Sequence, residues 1–258
     1  MIRRLRYYLA SIPTLLKYVE NWYILPTLAF RKQPAIIVLR TGHRFKVRSL
    51  MDAWIVKETC LDHDYEANSV PIENGWTILD IGAGIGDFSI SVAKEHPQCQ
   101  VYAFEPFPSS FHLLQENLEL NHITNVTAFP IAVGPAVGKG LLATTGEAVQ
   151  HTTTHSLLPN TITTVEVQVL SLEALLRLNN LRGCDFLKMD CEGCEFEALL
   201  HASPQTLAGI RHICLEYHDK ATSYSHSDLV HYLQSHGFQT RITPNPVHHH
   251  LGLLYAGR

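Results

Sequence analysis

The chain has 258 residues, of which 46% are hydrophobic and 17% are charged. This composition supports a packed core and excludes a largely disordered chain. The 15 glycines and 13 prolines are ordinary numbers, which excludes collagen-like and low-complexity sequences.

The net charge of −4 conceals a difference between two parts of the chain. Residues 1–48 contain ten Lys and Arg and one acid, a net charge of +9. Residues 49–258 contain ten Lys and Arg and 23 acids, a net charge of −13. Because nucleic-acid-binding surfaces need clustered Lys and Arg, the acidic main body argues against a nucleic-acid partner.

The first 34 residues combine arginines with aromatic and aliphatic side chains. Pro13 and Pro26 interrupt the two uncharged stretches, and neither stretch reaches the roughly 20 residues that span a bilayer. We expect this segment to form a helix that packs on the main domain. The main alternative is an interfacial helix at the inner face of an anionic membrane, since Arg3, Arg4 and Arg6 stand beside aromatic residues. A signal sequence and a nucleic-acid-binding arm are the remaining alternatives.

The sequence that follows divides into strand and helix patterns. Residues 35–40 and 45–49 predict a hairpin, and Asp52 predicts the N-cap of a helix over residues 53–65. From Trp76 onward the two patterns alternate, which predicts an α/β fold with a doubly wound, Rossmann-like parallel sheet. We therefore divide the chain into an N-terminal extension, residues 1–75, and a main domain, residues 76–258.

Individual elements of the main domain follow from periodicity and turn residues. The predicted strands cover residues 77–81, 100–105, 126–133, 185–190, 212–217, 239–243 and 251–256. The predicted helices cover residues 86–95, 109–120, 172–178, 195–200 and 228–236. Residues 138–169 predict a β-excursion with a mobile loop around Thr152–Thr154, and the triplet His248–His250 falls within a strand pattern.

A glycine-rich segment, Asp80–Gly86, stands at a strand-to-helix junction. Glycines there allow a tight turn and let a ligand approach main-chain N–H groups at a helix N-terminus. Glu105 ends the next strand, where a carboxylate can accept hydrogen bonds from two ribose hydroxyls. The pattern predicts a nucleoside-containing ligand.

Two nucleoside cofactors use this geometry. The dinucleotide fingerprint G-x-G-x-x-G fails, because Asp87 stands where the third glycine belongs. The spacing is instead G-x-G-x-G through Gly82, Gly84 and Gly86, and Asp80 precedes it. A carboxylate there would repel a pyrophosphate but suits the ammonium and sulfonium groups of S-adenosylmethionine, which we expect as the cofactor; NAD and a turn without ligand are the alternatives.

Several blocks of the sequence resemble class I methyltransferases and, more narrowly, the FkbM family. They are the segments ILDIGAGIGDFS (Ile78–Ser89), Phe104–Pro106, Asn117 with Asn121, LKMDCEGCE (Leu187–Glu195) and LEYH (Leu215–His218). The resemblance covers residues 76–219 well and leaves the first 34 residues uncovered. It implies a mostly parallel seven-stranded sheet, methyl transfer from S-adenosylmethionine, and a hydroxyl acceptor on a sugar, glycan or polyketide-like small molecule.

The resemblance also assigns cofactor-binding positions. It implies that Asp80 and the three loop glycines lie near the methionine moiety, that Glu105 binds the ribose, and that Asp190 faces the methyl group. No acid ends the third strand, where many class I enzymes bind the adenine amino group. Ala132 lies near that position, so we expect backbone groups there to read adenine.

Carboxylates and a histidine stand at the ends of two later strands. Asp190, Glu192 and Glu195 follow one strand, and Glu216 and His218 share one face of the next. A hydroxyl acceptor must lose its proton, so a general base is useful. His218 is the preferred base because its ordinary pKa is near 6.5, and Asp190 or Glu216 could orient it or act instead.

Two other interpretations of this cluster stay open. Asp190, Glu192, Glu216 and His218 offer the oxygen-rich ligand set that Mg²⁺ prefers, although a metal-free base is favoured. Alternatively, Glu192 and Glu195 serve only as acids at a helix N-terminus.

The six cysteines are scattered, and no secretory signal is recognised, which predicts reduced thiols in the cytoplasm. Cys191 and Cys194 form a C-x-x-C, but Cys184 and Cys214 do not supply a second pair at zinc-ligand spacing. We therefore interpret all four as small packing residues.

The sequence favours an S-adenosylmethionine-dependent O-methyltransferase. One rival is a regulatory protein that binds S-adenosylmethionine without catalysis, and the cluster of Asp190, Glu216 and His218 counts against it because a pure binder needs none of them. The other rival is a membrane-docked methyltransferase acting on a lipid-linked glycan. Neither the acceptor nor the oligomeric state is readable from the sequence.

Overall fold

Twelve strands are present in the computed structural model, which describes residues 11–31, 33–143 and 164–258. They are β1 (Ala35–Val38), β2 (Arg44–Val47), β3 (Thr77–Ile81), β4 (Gln100–Phe104), β5 (Val126–Phe129), β6 (Ile131–Val133), β7 (Gly138–Ala143), β8 (Thr164–Leu170), β9 (Cys184–Met189), β10 (Ile210–His218), β11 (Gln239–Pro244) and β12 (Leu251–Gly257).

The helices of the same residues alternate with these strands. They are α1 (residues 11–18), α2 (Leu25–Arg31), α3 (Leu50–Cys60), α4 (Asp64–Ala67), α5 (Asp87–Glu95), α6 (Pro108–Leu120), α7 (Leu172–Leu178), α8 (Cys194–Leu200), α9 (Pro204–Ala208) and α10 (His226–Ser235), with a 3₁₀ turn at Trp22–Ile24. The longest has 13 residues, and no helix of the described chain is both long and apolar enough to cross a bilayer.

Seven strands form the central sheet in the order β11-β12-β10-β9-β3-β4-β5. Strand β12 is antiparallel to both of its neighbours, and the other pairings are parallel. The order reverses between β3 and β9, and in open α/β sheets ligands bind outside the carboxyl ends of the strands at such a point. The predicted mostly parallel seven-stranded sheet is confirmed.

Helices cover both faces of the central sheet. Successive residues of β3 point to opposite faces, so Leu79 joins the core beneath α8 and α10 while Ile78 packs with Phe88 of α5. Phe186 on β9 and Phe196 on α8 are fully buried on these two faces. This packing holds the strand ends, and the side chains they carry, in fixed positions.

A three-stranded sheet, ordered β6-β8-β7, stands beside the central one. The single strand predicted over residues 126–133 is therefore wrong: β5 and β6 lie in different sheets. Pro130 separates them, and it cannot donate a hydrogen bond to a continuing ladder. The predicted β-excursion is present as β7 and β8, whereas the loop expected around Thr152–Thr154 lies outside the described residues.

The described part of the N-terminal extension, residues 11–31 and 33–75, packs on the main domain. Its predicted hairpin is β1–β2, and Val19, Leu28 and Phe45 form one core with Ile90 of α5. Helix α3 begins earlier than predicted, because Ser49 is the N-cap and accepts a hydrogen bond from the Asp52 amide.

Two local predictions are corrected here. Asp52 is not a cap: its carboxylate instead pairs with Arg48 at 3.0 Å. The triplet His248–His250 is not in a strand but in the turn between β11 and β12, two strands that were predicted correctly.

Candidate active site

A cleft of about 550 Å³ opens at the carboxyl ends of β3, β4, β9 and β10. Its volume falls within the range of small-molecule sites, about 300–1,000 Å³. Of the residues predicted for the site, the following line it: Gly82, Gly84, Glu105, Ala132, Asp190, Glu192, Glu216 and His218. The topology thus brings together residues as far apart in the sequence as Gly82 and His218.

The glycine loop crosses the floor of this cleft. Gly82, Gly84 and Gly86 have φ angles of +72°, +55° and +88°, a region that disfavours residues with a Cβ. A Cβ on Gly82 would lie 1.9 Å from the carbonyl oxygen of Asp190. The loop therefore contacts the end of β9 directly, which only a glycine permits.

Asp80 lies beneath this loop and is fully buried. Its Oδ1 is 3.0 Å from Nζ of Lys188, and its Oδ2 accepts a hydrogen bond of 2.7 Å from the Ser89 hydroxyl. Lys188 also donates to the Gly82 carbonyl at 2.8 Å. Burial disfavours the ammonium form, but the charges of Asp80, Asp190 and Asp87 together outweigh it and raise the pKa of Lys188. Asp80 therefore fixes the loop through Lys188 and does not itself line the cleft.

Glu105 occupies the position expected at the end of β4. Its Oε2 accepts a hydrogen bond of 2.8 Å from the Gly84 amide, and its Oε1 accepts one of 2.8 Å from the Phe107 amide. A carboxylate has about four acceptor sites, so two remain for a ligand. Burial raises the pKa of Glu105 to about 7. Its geometry suits a pair of neighbouring hydroxyls, such as a ribose diol.

Ala132 contributes to an apolar wall of the cleft. It lies in β6, is 2% exposed, and is flanked in the wall by Ile131, Val133 and Leu142. A flat aromatic ring could bind against this wall, with strand backbone rather than an acidic side chain beside it.

Asp190 follows β9 on the opposite side of the cleft. Its backbone amide donates to the Ile81 carbonyl at 2.9 Å, and its Oδ2 accepts a hydrogen bond of 2.9 Å from the Tyr65 hydroxyl. Burial and the charge of Asp190 raise the pKa of Tyr65, so this phenol remains a donor. Residue Tyr65 belongs to α4, and it ties the N-terminal extension to the cleft.

His218 stands at the centre of a group of acids. Its Nδ1 is 3.1 Å from Oε1 of Glu195, and its Nε2 is 3.9 Å from Asp190 and 3.8 Å from Glu192. Burial alone would lower the pKa of His218, but the hydrogen bond and charge of Glu195, with the charges of Asp190 and Glu216, raise it to about 10. His218 is therefore an imidazolium at neutral pH and has no free lone pair for a proton.

The pKa values of two neighbouring carboxyl groups, Glu216 and Glu192, are raised as well. Burial, with the charge of Asp190, raises the pKa of Glu216 to about 8, and burial raises the pKa of Glu192 to about 7. Each is a stronger base than an ordinary carboxylate. The surplus of acids over cations here makes this end of the cleft favourable for a positively charged ligand.

Three of these residues have the spacing of a metal site. Asp190, Glu216 and His218 each offer a ligand atom, and the three atoms lie within 4.8 Å of one another. A metal would have to displace the proton from His218, because only a neutral imidazole can be a ligand. Glu192, the fourth residue of the predicted set, pairs with His218.

The cysteine prediction is wrong for one pair. Cys191 and Cys194 form a disulfide in the turn between β9 and α8, and both line the cleft. Their separation of three residues brings the sulfur atoms together once the chain turns into α8. The other two of that set, Cys184 and Cys214, are free and buried, as expected of packing residues.

Three residues of the site were not singled out from the sequence. Lys188 is the buried partner of Asp80, Tyr65 binds Asp190, and Asp87 at the start of α5 accepts a hydrogen bond of 2.6 Å from Thr59. A lysine in an otherwise apolar strand was a signal for Lys188, since such a residue needs a buried partner. No comparable signal marked Tyr65.

Residues 80–240 match the family described as the methyltransferase FkbM domain. The chain is 25% identical over 221 residues to the 31-O-demethyl-FK506 methyltransferase FkbM of Streptomyces tacrolimicus, covering 75% of this chain and 84% of that protein. It is 23% identical over 201 residues to the hexuronic acid methyltransferase AglP of Haloferax volcanii, covering 78% and 80%.

Two further similarities concern larger proteins. The chain is 28% identical over 247 residues to the AMB antimetabolite synthetase AmbE of Pseudomonas aeruginosa, covering 79% of this chain but only 11% of that protein. The crystal structure of methyltransferase FkbM from Methylobacillus flagellatus superposes with a TM-score of 0.53 at 18% identity, over 72% of this chain and 44% of that one. The latter similarity bears on the fold.

Proposed function

The chain belongs to the FkbM family of methyltransferases, and we propose that it transfers a methyl group from S-adenosylmethionine to a hydroxyl group of a sugar, glycan or polyketide-like small molecule. The observation that carries the proposal is the position of Glu105 beside the glycine loop, across the cleft from the acids around His218. One end of the cleft suits a ribose, and the other suits a cation.

The described residues fit S-adenosylmethionine. Glu105 would bind the ribose hydroxyls, the wall that includes Ala132 would receive the adenine, and the loop of Gly82 and Gly84 would underlie the methionine part. Asp80 would act indirectly, because Lys188 already neutralises it. When bound, S-adenosylmethionine supplies an electrophilic methyl group on a sulfonium centre.

The acids then prepare the acceptor. Glu216 is the base that this site supports best: once the pH approaches its pKa of about 8, an oxygen of its ionised carboxylate can take the hydroxyl proton. His218 carries a proton already and would instead stabilise the neighbouring carboxylates by its charge. Tyr65 holds Asp190 in a fixed orientation. This contributes to the positioning of the reacting groups on which an in-line methyl transfer depends.

Two relatives support the proposed acceptor class, which extends from sugars and glycans to polyketide-like small molecules. One relative acts on 31-O-demethyl-FK506 and another on hexuronic acid, according to their names. The test is a screen of hydroxylated metabolites and glycans with methyl-labelled S-adenosylmethionine and the purified chain. Label must appear in an acceptor, and a Glu216→Gln variant must transfer at least 100-fold more slowly; transfer that is unaffected by this variant contradicts the proposed base.

A specific observation favours a lipid-linked acceptor as a second candidate. Twelve large apolar side chains are exposed in the described residues, and nine of them lie between positions 12 and 51: Ile12, Leu16, Tyr18, Trp22, Tyr23, Phe30, Ile36, Leu50 and Met51. Residues 1–48, which include most of this part of the chain, carry the net charge of +9. Met51 lines the cleft, so this surface reaches the site. Apolar and basic side chains together suit an anionic membrane surface.

Flotation of the full chain with vesicles tests this candidate. We expect recovery with vesicles that contain phosphatidylglycerol, and loss of recovery for Tyr23→Ser/Phe30→Ser, whose side chains are 67% and 88% exposed. The matched control is Val137→Ser/Leu178→Ser, which removes exposed apolar groups elsewhere. Equal flotation of both variants, or none by the unaltered chain, rejects membrane docking.

A further inference from the structure

The disulfide between Cys191 and Cys194 lies on the wall of the cleft, where the cleft borders the core. Cys191 is partly exposed and packs against the core, whereas Cys194 belongs to the core and is 6% exposed. The turn that it closes contains two residues with positive φ, Glu192 at +57° and Gly193 at +111°. A covalent ring therefore holds an unusual backbone conformation beside the residues of the active site.

We propose that Cys191 and Cys194 form a reversible redox-modification site, opened by a dithiol reductant and closed again by a disulfide oxidant, which sets the geometry of Glu195 and His218. The first part concerns the chemistry of the two sulfurs alone. The effect on methyl transfer rests on the proposed function.

The link to the active site is a short chain of hydrogen bonds. Glu195 is fully buried, and its two carboxylate oxygens accept from the backbone amides of Cys191 at 2.8 Å and Gly193 at 2.7 Å. The oxygen that binds Cys191 also contacts His218 at 3.1 Å. The amides that orient Glu195 thus belong to the ring that the disulfide closes. Opening this ring frees the turn to rotate and weakens the support of His218.

The exchange needs no group beyond the reductant. A thiolate of the dithiol attacks Sγ of Cys191, the bond between the two cysteine sulfurs breaks, and Cys194 leaves as a thiolate that takes up a proton. The second thiolate of the reductant then attacks the mixed disulfide and releases Cys191, which also takes up a proton. Two electrons and two protons pass to the protein, and the dithiol becomes a disulfide.

The remaining four cysteines provide an internal contrast. Cys60, Cys99, Cys184 and Cys214 are free and no more than 5% exposed. Burial raises the pKa of the thiol in each of them. A thiol that is buried and protonated is a poor nucleophile, so only the pair on the cleft wall should exchange in the folded protein.

Thiol counting by mass spectrometry tests the first part. The full chain is treated with oxidised glutathione or dithiothreitol under native conditions, alkylated with N-ethylmaleimide and digested. We expect two additional labels after dithiothreitol, both in the peptide of residues 191–194, and their loss on reoxidation. A pair that stays closed in excess dithiothreitol, or stays labelled after oxidised glutathione, overturns the proposal.

Methyl transfer tests the second part. We expect the transfer rate of the oxidised chain to fall several-fold on reduction and to return on reoxidation, whereas the Cys191→Ser/Cys194→Ser variant should stay at the reduced rate in both buffers. Cys184→Ala is the matched control, because it removes a cysteine of β9 away from the cleft and should keep the redox response. Equal rates for the oxidised and reduced chain overturn the link to Glu195, while a lack of all transfer together with normal thiol exchange contradicts the proposed function instead.

Discussion

His218 Nδ1 lies 3.1 Å from Oε1 of Glu195, a carboxylate with no exposure to solvent. This pairing changes the chemistry expected of the histidine. An isolated imidazole would be the natural base at neutral pH, but Glu195 and the neighbouring acids keep His218 protonated up to a pKa of about 10. Under the proposed function a carboxylate is then the proton acceptor, and Glu216 has the highest pKa among the acids of the cleft, about 8.

The pH dependence of transfer distinguishes the two bases. A base must be deprotonated to act, so we expect the rate at saturating substrate to rise with pH through about 8, the pKa of Glu216. His218 keeps its charge over this range and should not limit the rate below about pH 10. A rise centred near 6.5 would identify a neutral histidine as the base and contradict this assignment.

The stability of the folded chain should fall as the pH rises, whereas the transfer rate should increase. The folded-state pKa of Glu216 is about 8, above the ordinary value of 4.5, so its contribution to stability is fully present below pH 4.5 and is lost as the pH rises through 8. Glu105 and Glu192, each with a pKa of about 7, act in the same sense. We expect the ligand-free chain to have a lower Tm at pH 8.5 than at pH 6.5, and Glu216→Gln to reduce that difference; an unchanged difference in the variant would contradict the shift.

Gly82 gives a test of the contact between the glycine loop and β9. Gly82→Ala would place a Cβ 1.9 Å from the Asp190 carbonyl oxygen in addition to its positive φ. Gly75→Ala shares the positive φ, +87°, but meets nothing within 4 Å, so it measures the cost of the dihedral angle alone. We expect Gly82→Ala to be the more destabilising by at least about 1 kcal/mol in urea unfolding, because overpacking typically costs about 1–3 kcal/mol. Equal losses would contradict the close approach.

The buried pair of Lys188 and Asp80 predicts strong coupling. Lys188→Met leaves the Asp80 carboxylate buried without its cation, and breaking such a pair typically costs about 3–5 kcal/mol. Lys188→Met/Asp80→Asn removes the uncompensated charge and should recover part of that loss. Urea unfolding of Lys188→Met, Asp80→Asn and the double variant completes a double-mutant cycle. If the losses in free energy of unfolding of the two single variants simply add in the double variant, the two side chains do not interact.

The parts of this structure that follow local rules were predictable from the sequence. The strands are apolar runs between turn residues, and the glycine pattern is complete within the seven residues Asp80–Gly86. These local features were sufficient to predict the central sheet and the position of Glu105. The pairings of Asp190 were not predictable in the same way, because Tyr65 lies 125 residues away and only the tertiary fold brings it within 2.9 Å. The charge of His218 depends on three side chains, Glu195 of α8, Asp190 after β9 and Glu216 of β10, which no local pattern contains.

The break between β5 and β6 shows a different limit of prediction from the sequence. Residues 126–133 have strand propensity throughout, and the pattern does not say that the chain changes sheets in the middle. Pro130 was the available signal, since a proline within a run of strand residues marks the end of a ladder.

The most direct test of the account is a calorimetric titration of the purified chain with S-adenosylhomocysteine, beside Glu105→Ala and Glu119→Ala. Glu105 lines the cleft, whereas Glu119 is an exposed acid of α6 outside it. Hydrogen bonds to a charged group contribute about 1.5–3 kcal/mol, so Glu105→Ala should bind about 10- to 100-fold more weakly, and Glu119→Ala should bind like the unaltered chain. Absence of binding by the unaltered chain, or equal affinity for all three proteins, would contradict the assignment of this cleft to S-adenosylmethionine.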